Sequence, residues 1–172
     1  KCVIVCTDDS NSQYGTAIVG TVSGTSISFG TAVVYNSAIT NHNSIAFDPN
    51  TAGKFVVAYR DYGNSHYNTV NVGTVSGTAI SFSGESVVNT GNTQYNSISF
   101  DPNTAGKFIV AYKDLGNSNY GNAIVCQLEV ITTSLTSTNF VGITAEAITS
   151  GATGVVVPQG GVAASVANTP LL

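Results

Sequence analysis

The sequence predicts an all-β fold of antiparallel strands, and three observations support this. Only 8% of the 172 residues are charged, and 21 Thr, 19 Ser, 17 Asn and 18 Gly supply the polar surface and the turns instead. Several short stretches alternate between apolar and polar side chains, which is the period of a strand. The chain also resembles itself at an interval of 53 residues. Met is absent and Lys and Glu are rare, so long helices are not expected.

Two recurring sequence segments, called phrases below, establish the repeat interval of 53 residues. Gly20-Thr-Val-Ser-Gly-Thr25 returns as Gly73 to Thr78, and Asp48-Pro-Asn-Thr-Ala-Gly-Lys-Phe55 returns as Asp101 to Phe108. Both phrases carry turn residues, so they predict recurring loops between recurring strands.

The repeat also predicts the domain organisation. Residues 1–53 align with residues 54–106 without a gap and with 30 identities, and residues 107–130 begin a partial third copy. We therefore expect a β-repeat region over residues 1–130. The period stops there, and residues 131–172 are expected to form a small C-terminal β module or an assembly tail.

Copy two shows the strands most clearly. Lys54 to Asp61 is apolar on both faces, as expected of a central strand covered by two layers. Thr69 to Val75 forms a second strand. Ala79 to Phe82 and Ser97 to Phe100 alternate strictly, so each should have one face in water, and Ser26 to Phe29 in copy one agrees.

Four antiparallel strands in 53 residues match the size of a propeller blade. We therefore expect propeller-blade-like units, with an open β-solenoid or a fibre as the alternative. Two and a half blades do not close a ring, so further copies or neighbouring subunits are expected to cover the outer sheets.

The C-terminal module has its own pattern. Asn139 to Ile148 followed by Gly151 to Val157 predicts a hairpin, and one helical turn at Thr144 to Ile148 is the alternative.

Charge and hydropathy exclude two classes of partner. Five basic and nine acidic residues give a formal charge of −4 without a Lys/Arg cluster, so no nucleic acid is expected. The apolar runs are far shorter than the ~20 residues of a membrane span, so no membrane insertion is expected.

Metal and cofactor sites are not predicted. Asp8, Asp61 and Asp114 recur at equivalent positions before turns, where a carboxylate accepts hydrogen bonds from turn amides. A calcium role is the alternative, although the alternate-acid spacing of a calcium loop is missing. Three cysteines form no C-x-x-C pair, and Cys2 and Cys6 are too far apart along one strand to bridge, so they are expected in the apolar core. The disulfide state of Cys2, Cys6 and Cys126 stays open.

The acids outside the repeat pattern do not form a catalytic motif. They are Asp9, Glu85, Glu129 and Glu146. No Gly-x-Ser-x-Gly or Cys/His arrangement is present, and His42 and His66 occupy unequal repeat positions. The sequence therefore predicts a protein that is not an enzyme.

A recurring Asn-Ser-x-Tyr stretch is the candidate ligand site, because amides beside an aromatic ring suit sugars and repetition gives avidity. The alternative is that each Tyr packs over its own turn. The candidate residues are Asn11, Tyr14, Asn64, Tyr67, Asn117 and Tyr120.

Two long phrases resemble repeats of marine bacteriophage structural proteins. They are Thr16 to Phe29 and Ser44-Ile-Ala-Phe-Asp-Pro-Asn-Thr-Ala-Gly-Lys-Phe-Val-Val-Ala-Tyr-Arg-Asp61, and cyanophage tail fibre-like proteins are the nearest match. The resemblance covers about residues 1–128, and Asn139 to Ile148 is similar to a module that follows such repeats. It implies an extracellular, virion-attached, noncatalytic and multimeric β protein, with no catalytic residues to carry over. Cys2 and Cys6 depart from it, since other copies have Phe and Tyr there.

Taken together, these observations predict a noncatalytic virion structural or tail fibre-like protein that acts in assembly or surface adhesion. The expected partners are further copies of itself or other virion proteins, with a cell-surface glycan as a further candidate. The alternative is a glycan-binding, lectin-like repeat module of a bacterial surface protein. A glycosidase remains open only if acids outside these residues complete its site.

Overall fold

Stretches rich in Val, Ile, Phe, Tyr and Thr form the strands, and stretches rich in Gly, Asn and Asp form the connections. The computed structural model describes residues 1–128 and the backbone of residues 154–156 and 164–166. In these residues the strands are all antiparallel, and the only helical segments are 3₁₀ turns at Asp9–Asn11 and Tyr62–Asn64. The prediction of an all-β, antiparallel fold is confirmed.

The structure describes twelve strands. In chain order they are β1 (Cys2–Asp8), β2 (Tyr14–Ser23), β3 (Ser26–Phe29), β4 (Val33–Phe47), β5 (Lys54–Asp61), β6 (Tyr67–Ser76), β7 (Ala79–Asn89), β8 (Thr93–Phe100), β9 (Lys107–Asp114), β10 (Tyr120–Gln127), β11 (Gly154–Val156) and β12 (Ala164–Val166).

The chain forms two compact units, Lys1–Val130 and Ile131–Leu172. In the first, one sheet has the order β1-β2-β4-β5-β6-β7 with β3 beside β2, and a second sheet has the order β10-β9-β8. In the second unit, β11 pairs with β12. None of the described sheets closes into a barrel or a complete propeller. Of the hairpin predicted for Asn139 to Ile148 and Gly151 to Val157, only residues 154–156 are described, as β11, and the rest lies outside the described residues.

Strand β4 is longer than the sequence predicts. Its residues 33–39 pair with β2 and its residues 40–47 pair with β5, with a register shift between Asn41 and Ser44. Strand β4 therefore continues without a break from its pairing with β2 into its pairing with β5, although all of its residues belong to copy one. The physical reason is that residues 33–47 contain no Gly or Pro, whereas Gly91 separates β7 from β8 in the next copy.

Strand β5 lies at the centre of the first unit, and its alternate side chains belong to two different cores. Phe55, Val57 and Tyr59 pack in one cluster with residues of β1 and β2. Val56 and Ala58 pack in another with residues of β9. The prediction of a strand buried on both faces is confirmed.

The two cores divide residues 1–128 into three stacked layers. Layer 1 comprises β1, β2, β3 and residues 33–39; layer 2 comprises residues 40–47, β5, β6 and β7; layer 3 comprises β8, β9 and β10. Because β1 and β2 share a core with β5, the long sheet folds over at β4. Burial between the layers is the main source of stability expected for this unit.

One strand differs from its predicted burial. Ser26–Phe29 was expected to bury alternate side chains, but all four residues are exposed. Ile27 and Phe29 lie opposite Val22 and Gly20 of β2, on the outer side of layer 1, where the described residues provide no cover.

The recurring phrases form recurring turns. Gly24 and Gly77 have φ near +60° and occupy two-residue hairpins, where glycine avoids the strain of a left-handed backbone. Asp48 accepts a hydrogen bond from the Asn50 amide at 2.9 Å, and Asp101 accepts one from Asn103 at 2.9 Å. Asp48 Oδ2 also accepts from the Gly106 amide at 3.2 Å, so the turn of one copy is bonded to the turn of the next.

Among the described residues, no helix has the length and apolar character needed to cross a membrane.

Candidate functional site

The recurring aspartates cap the turns that carry the candidate ligand residues. Asp61 Oδ1 accepts from the Gly63 amide at 2.8 Å, and Asp114 Oδ1 accepts from the Gly116 amide at 2.9 Å. Asp8 Oδ1 binds the amide of Ser10 in the same way at 3.0 Å. The prediction that these carboxylates accept turn amides is confirmed.

The same turns share an unusual backbone. Two consecutive residues adopt positive φ between the Asn and the Tyr of each Asn-Ser-x-Tyr stretch. The residues concerned are Ser12 with Gln13, Ser65 with His66, and Ser118 with Asn119. The three turns therefore share the same backbone conformation at these two positions.

The six candidate ligand residues are not equally accessible. The asparagines of all three turns are exposed, and so is Tyr120, whose exposed fraction is 64%. Tyr14 and Tyr67 are half-buried, as expected if they pack partly over their own turns. Ligand binding by Asn11, Asn64 and Asn117 stays a prediction.

The second turn borders a cleft with a volume of about 320 Å³. It is lined by Asn36, Ser37, Ala38, Asp61, Gly63, Asn64 and Glu85. Layers 1 and 2 both contribute to it, because Asn36 lies in the part of β4 that belongs to layer 1. The cleft is therefore created by the stacking of two repeats.

Asn36 joins two carboxylates in this cleft. Its Nδ2 donates to Asp61 Oδ2 at 3.1 Å and to Glu85 Oε1 at 2.7 Å. Its Oδ1 accepts from the amide of Ala38 at 2.7 Å. The hydroxyl of Tyr59 donates to the same Glu85 oxygen at 2.7 Å. All the polar atoms of the Asn36 side chain are thus engaged, which fixes its orientation.

The network changes the acidity of its members. Burial, together with the nearby negative charge of Glu85, raises the pKa of the Asp61 carboxyl above its ordinary value. Burial and the hydrogen bond to Glu85 also raise the pKa of Tyr59, so its hydroxyl stays a donor. Asp61 is buried, whereas Glu85 is exposed and held in place by the neutral donors Asn36 and Tyr59, so its carboxylate is suited to binding hydroxyl groups.

Sequence reasoning missed this site because its key acid is not repeated. Asn36 and Asp61 recur as Asn89 and Asp114, but Glu85 has no counterpart among the described residues. In the next copy, Asn89 Nδ2 donates to the hydroxyl of Tyr112 at 3.0 Å. The recurrence of this asparagine, as Asn36 and Asn89, is the feature of the sequence that could have indicated the site. Each of the two side chains donates a hydrogen bond from its own layer to the next layer.

Aromatic rings lie close to the second turn. Tyr62 packs edge-on against His66 with ring centroids 4.3 Å apart, and the Arg60 guanidinium lies 4.7 Å from the Tyr62 ring. His42 and Tyr95, which occupy equivalent positions of successive copies, pack with centroids 4.8 Å apart. His42 and Tyr95 both have a positive φ, and each lies where the register of its strand pairing shifts. The stacked layers therefore bring the equivalent irregular positions of two copies into contact.

Other candidate residues lie apart from the cleft. Asp9 is exposed and accepts from Gln13 Nε2 at 3.4 Å, and Glu129 and Glu146 lie outside the described residues. Within residues 1–128 no three His, Cys, Asp or Glu side chains converge on a metal-sized site.

The three cysteines are free. Cys6 is exposed, so the expectation that it lies in the core is wrong, because it faces the open side of layer 1. Cys2 is half-buried, and Cys126 packs against the core between layers 2 and 3.

Comparison with family models, with curated proteins and with solved structures found no match to this chain.

The variant Glu85→Gln is expected to lower the pKa of Asp61, because it removes the neighbouring charge. A raised folded-state pKa favours folding at low pH, and this contribution is lost as the pH rises through that pKa. The variant should therefore weaken the decline in stability from acidic to neutral pH. Carboxyl ¹³C NMR titration measures the shift directly. Asp101, whose pKa the Asn103 amide holds below its ordinary value, serves as the control and should not move.

Proposed function

We propose that this chain is a noncatalytic, virion-associated structural or tail fibre-like protein that acts by assembly and surface adhesion outside the cell. The observation that carries the proposal is the stacking of repeats into layers that present the same turn again and again at the surface. The resemblance of its repeat phrases to marine bacteriophage structural proteins supports the same role.

The layers support propeller-type blades as the finer architecture. Layer 2 has the four-stranded antiparallel order expected of a blade, with part of β4 followed by β5, β6 and β7. Its two neighbours pack on its opposite faces, as adjacent blades do. An open solenoid would use the same contacts, so the closure of the ring distinguishes the two architectures.

The cleft itself supports a noncatalytic role. A glycosidase needs the scissile bond between its two carboxyl groups. Here the amide of Asn36 occupies that position and bonds to both Asp61 and Glu85. The pair therefore serves to join the two layers, and of the two carboxylates only the exposed Glu85 offers an acceptor at the surface.

A glycan-binding, lectin-like role is the second candidate, and the polar cleft favours it. Asn64 is exposed at its edge, the exposed Glu85 supplies an acceptor for sugar hydroxyls, and the neighbouring Tyr62 supplies an aromatic ring. Asn11 and Asn117 stand at equivalent turns that do not line this cleft. The second turn is thus the preferred position for a sugar.

The three asparagines provide a matched test on a glycan array and on target cells. If the cleft holds the sugar, Asn64→Ala should weaken binding at least several-fold, while Asn11→Ala and Asn117→Ala should have little effect. Equal losses from all three would favour one weak site at each turn and an avidity mechanism. Binding unchanged in the triple variant would remove the lectin role and leave assembly. Release of cleaved sugar by the unmodified chain would contradict the noncatalytic proposal.

A further inference from the structure

The outer side of layer 1 is an exposed apolar surface. The strand register places Ile4 opposite Ile18, Val22 opposite Ile27, and Phe29 opposite Gly20, so these side chains share one side of the sheet. The exposed fractions are 39% for Ile4, 55% for Val22 and 58% for Phe29. This side is called face A.

The outer side of layer 3 is also apolar. Ile109 lies opposite Val125, with exposed fractions of 47% and 61%, and Ala111 lies opposite Ala123. This side is called face B. Exposed apolar patches of this kind usually mark sites of association.

The interior of the chain shows what face B fits. One copy earlier, the residues equivalent to face B are Val56, Ala58, Val70 and Val72, and they belong to the core between layers 2 and 3. Layer 3 covers them with Phe108, Val110 and Tyr112.

The covering residues identify face A as the matching surface. Phe108, Val110 and Tyr112 are the equivalents, two copies later, of Cys2, Ile4 and Cys6. Face A is therefore equivalent to the surface with which each later layer packs on the layer before it. Face B is equivalent to the surface of layer 2 that layer 3 covers. Each contact between layers inside the chain thus pairs one surface of each kind.

We propose that face B of one chain docks on face A of a second copy of this chain, and so continues the internal stacking between molecules. The contact is head-to-tail, so each docked copy leaves one face of each kind free for the next. It goes beyond the adhesive role above and does not depend on sugar binding.

Two lysine variants test the proposal by sedimentation velocity of the full 172-residue chain. Val22→Lys blocks face A and Val125→Lys blocks face B, and both residues are exposed. The unmodified chain should grow beyond its 17.6 kDa mass with concentration, and each variant alone should stay monomeric. An equimolar mixture should form a dimer and nothing larger, because only one intact pair of faces remains.

The control is Thr90→Lys, an exposed change between β7 and β8, which should associate like the unmodified chain. Circular dichroism and urea midpoints establish that each variant is folded, and Ile27→Lys and Ile109→Lys replace any that is not. Three results would overturn the proposal: an unmodified chain that stays monomeric, a dimer of Val125→Lys alone, or a dimer of Val22→Lys alone. The last two would show that like faces pair.

Discussion

Phe55→Ala is expected to lower the free energy of unfolding by about 3–5 kcal/mol, the largest effect of any single change considered for this chain. The Phe55 side chain is fully buried between layers 1 and 2. Its ring packs on Phe47 with centroids 5.4 Å apart and edge-on against Phe82 at 5.7 Å. Removing it leaves a cavity that neighbours on both layers line. Urea unfolding followed by circular dichroism measures the loss.

Phe29→Ala is the matched control at protein concentrations where face A is not docked, because it deletes the same atoms from a ring that is 58% exposed. It should change stability by less than about 1 kcal/mol. Phe55→Leu should lie between the two and keeps the comparison measurable if the alanine variant does not fold. Equal losses from Phe55→Ala and Phe29→Ala would contradict the assignment of Phe55 to the central core.

Local features of the sequence predict much of the fold. Lys54 to Asp61 reads as a strand buried on both faces, and it is one because two layers cover it. The turns at Asp48 and Asp101 follow from a carboxylate, a proline and a later glycine at fixed spacing. These predictions depend on neighbours within a few residues, which is the range at which sequence patterns are informative.

The candidate cleft depends on contacts that local patterns do not specify. Asn36 meets Asp61 and Glu85, which lie 25 and 49 positions further along the chain. Their meeting requires β4 to continue from layer 1 into layer 2 and the two layers to stack. Glu85 also breaks the repeat, so alignment of the copies gives no reason to place it beside Asp61.

Gly73→Ala is expected to cost about 1–3 kcal/mol by overpacking the same core. Gly73 lies in β6 directly opposite Phe55 on one side and Phe82 on the other. A β-carbon at this position would overlap the Phe55 ring. The first glycine of the phrase Gly73 to Thr78 therefore serves to leave room for an aromatic ring. Gly121→Ala is the control, because a β-carbon there meets nothing within 4 Å.

The two core changes should be strongly non-additive. In the Phe55→Ala background the ring that excludes a β-carbon is gone, so Gly73→Ala then fills part of the cavity. An alanine in a strand interior is also favoured over glycine by roughly 0.5–1 kcal/mol when no clash opposes it. Gly73→Ala should therefore become neutral or stabilising in that background, with a coupling free energy above about 1 kcal/mol in a double-mutant cycle. Additive costs would show that Gly73 is needed for its backbone conformation, since the ring would then not be what excludes a side chain there.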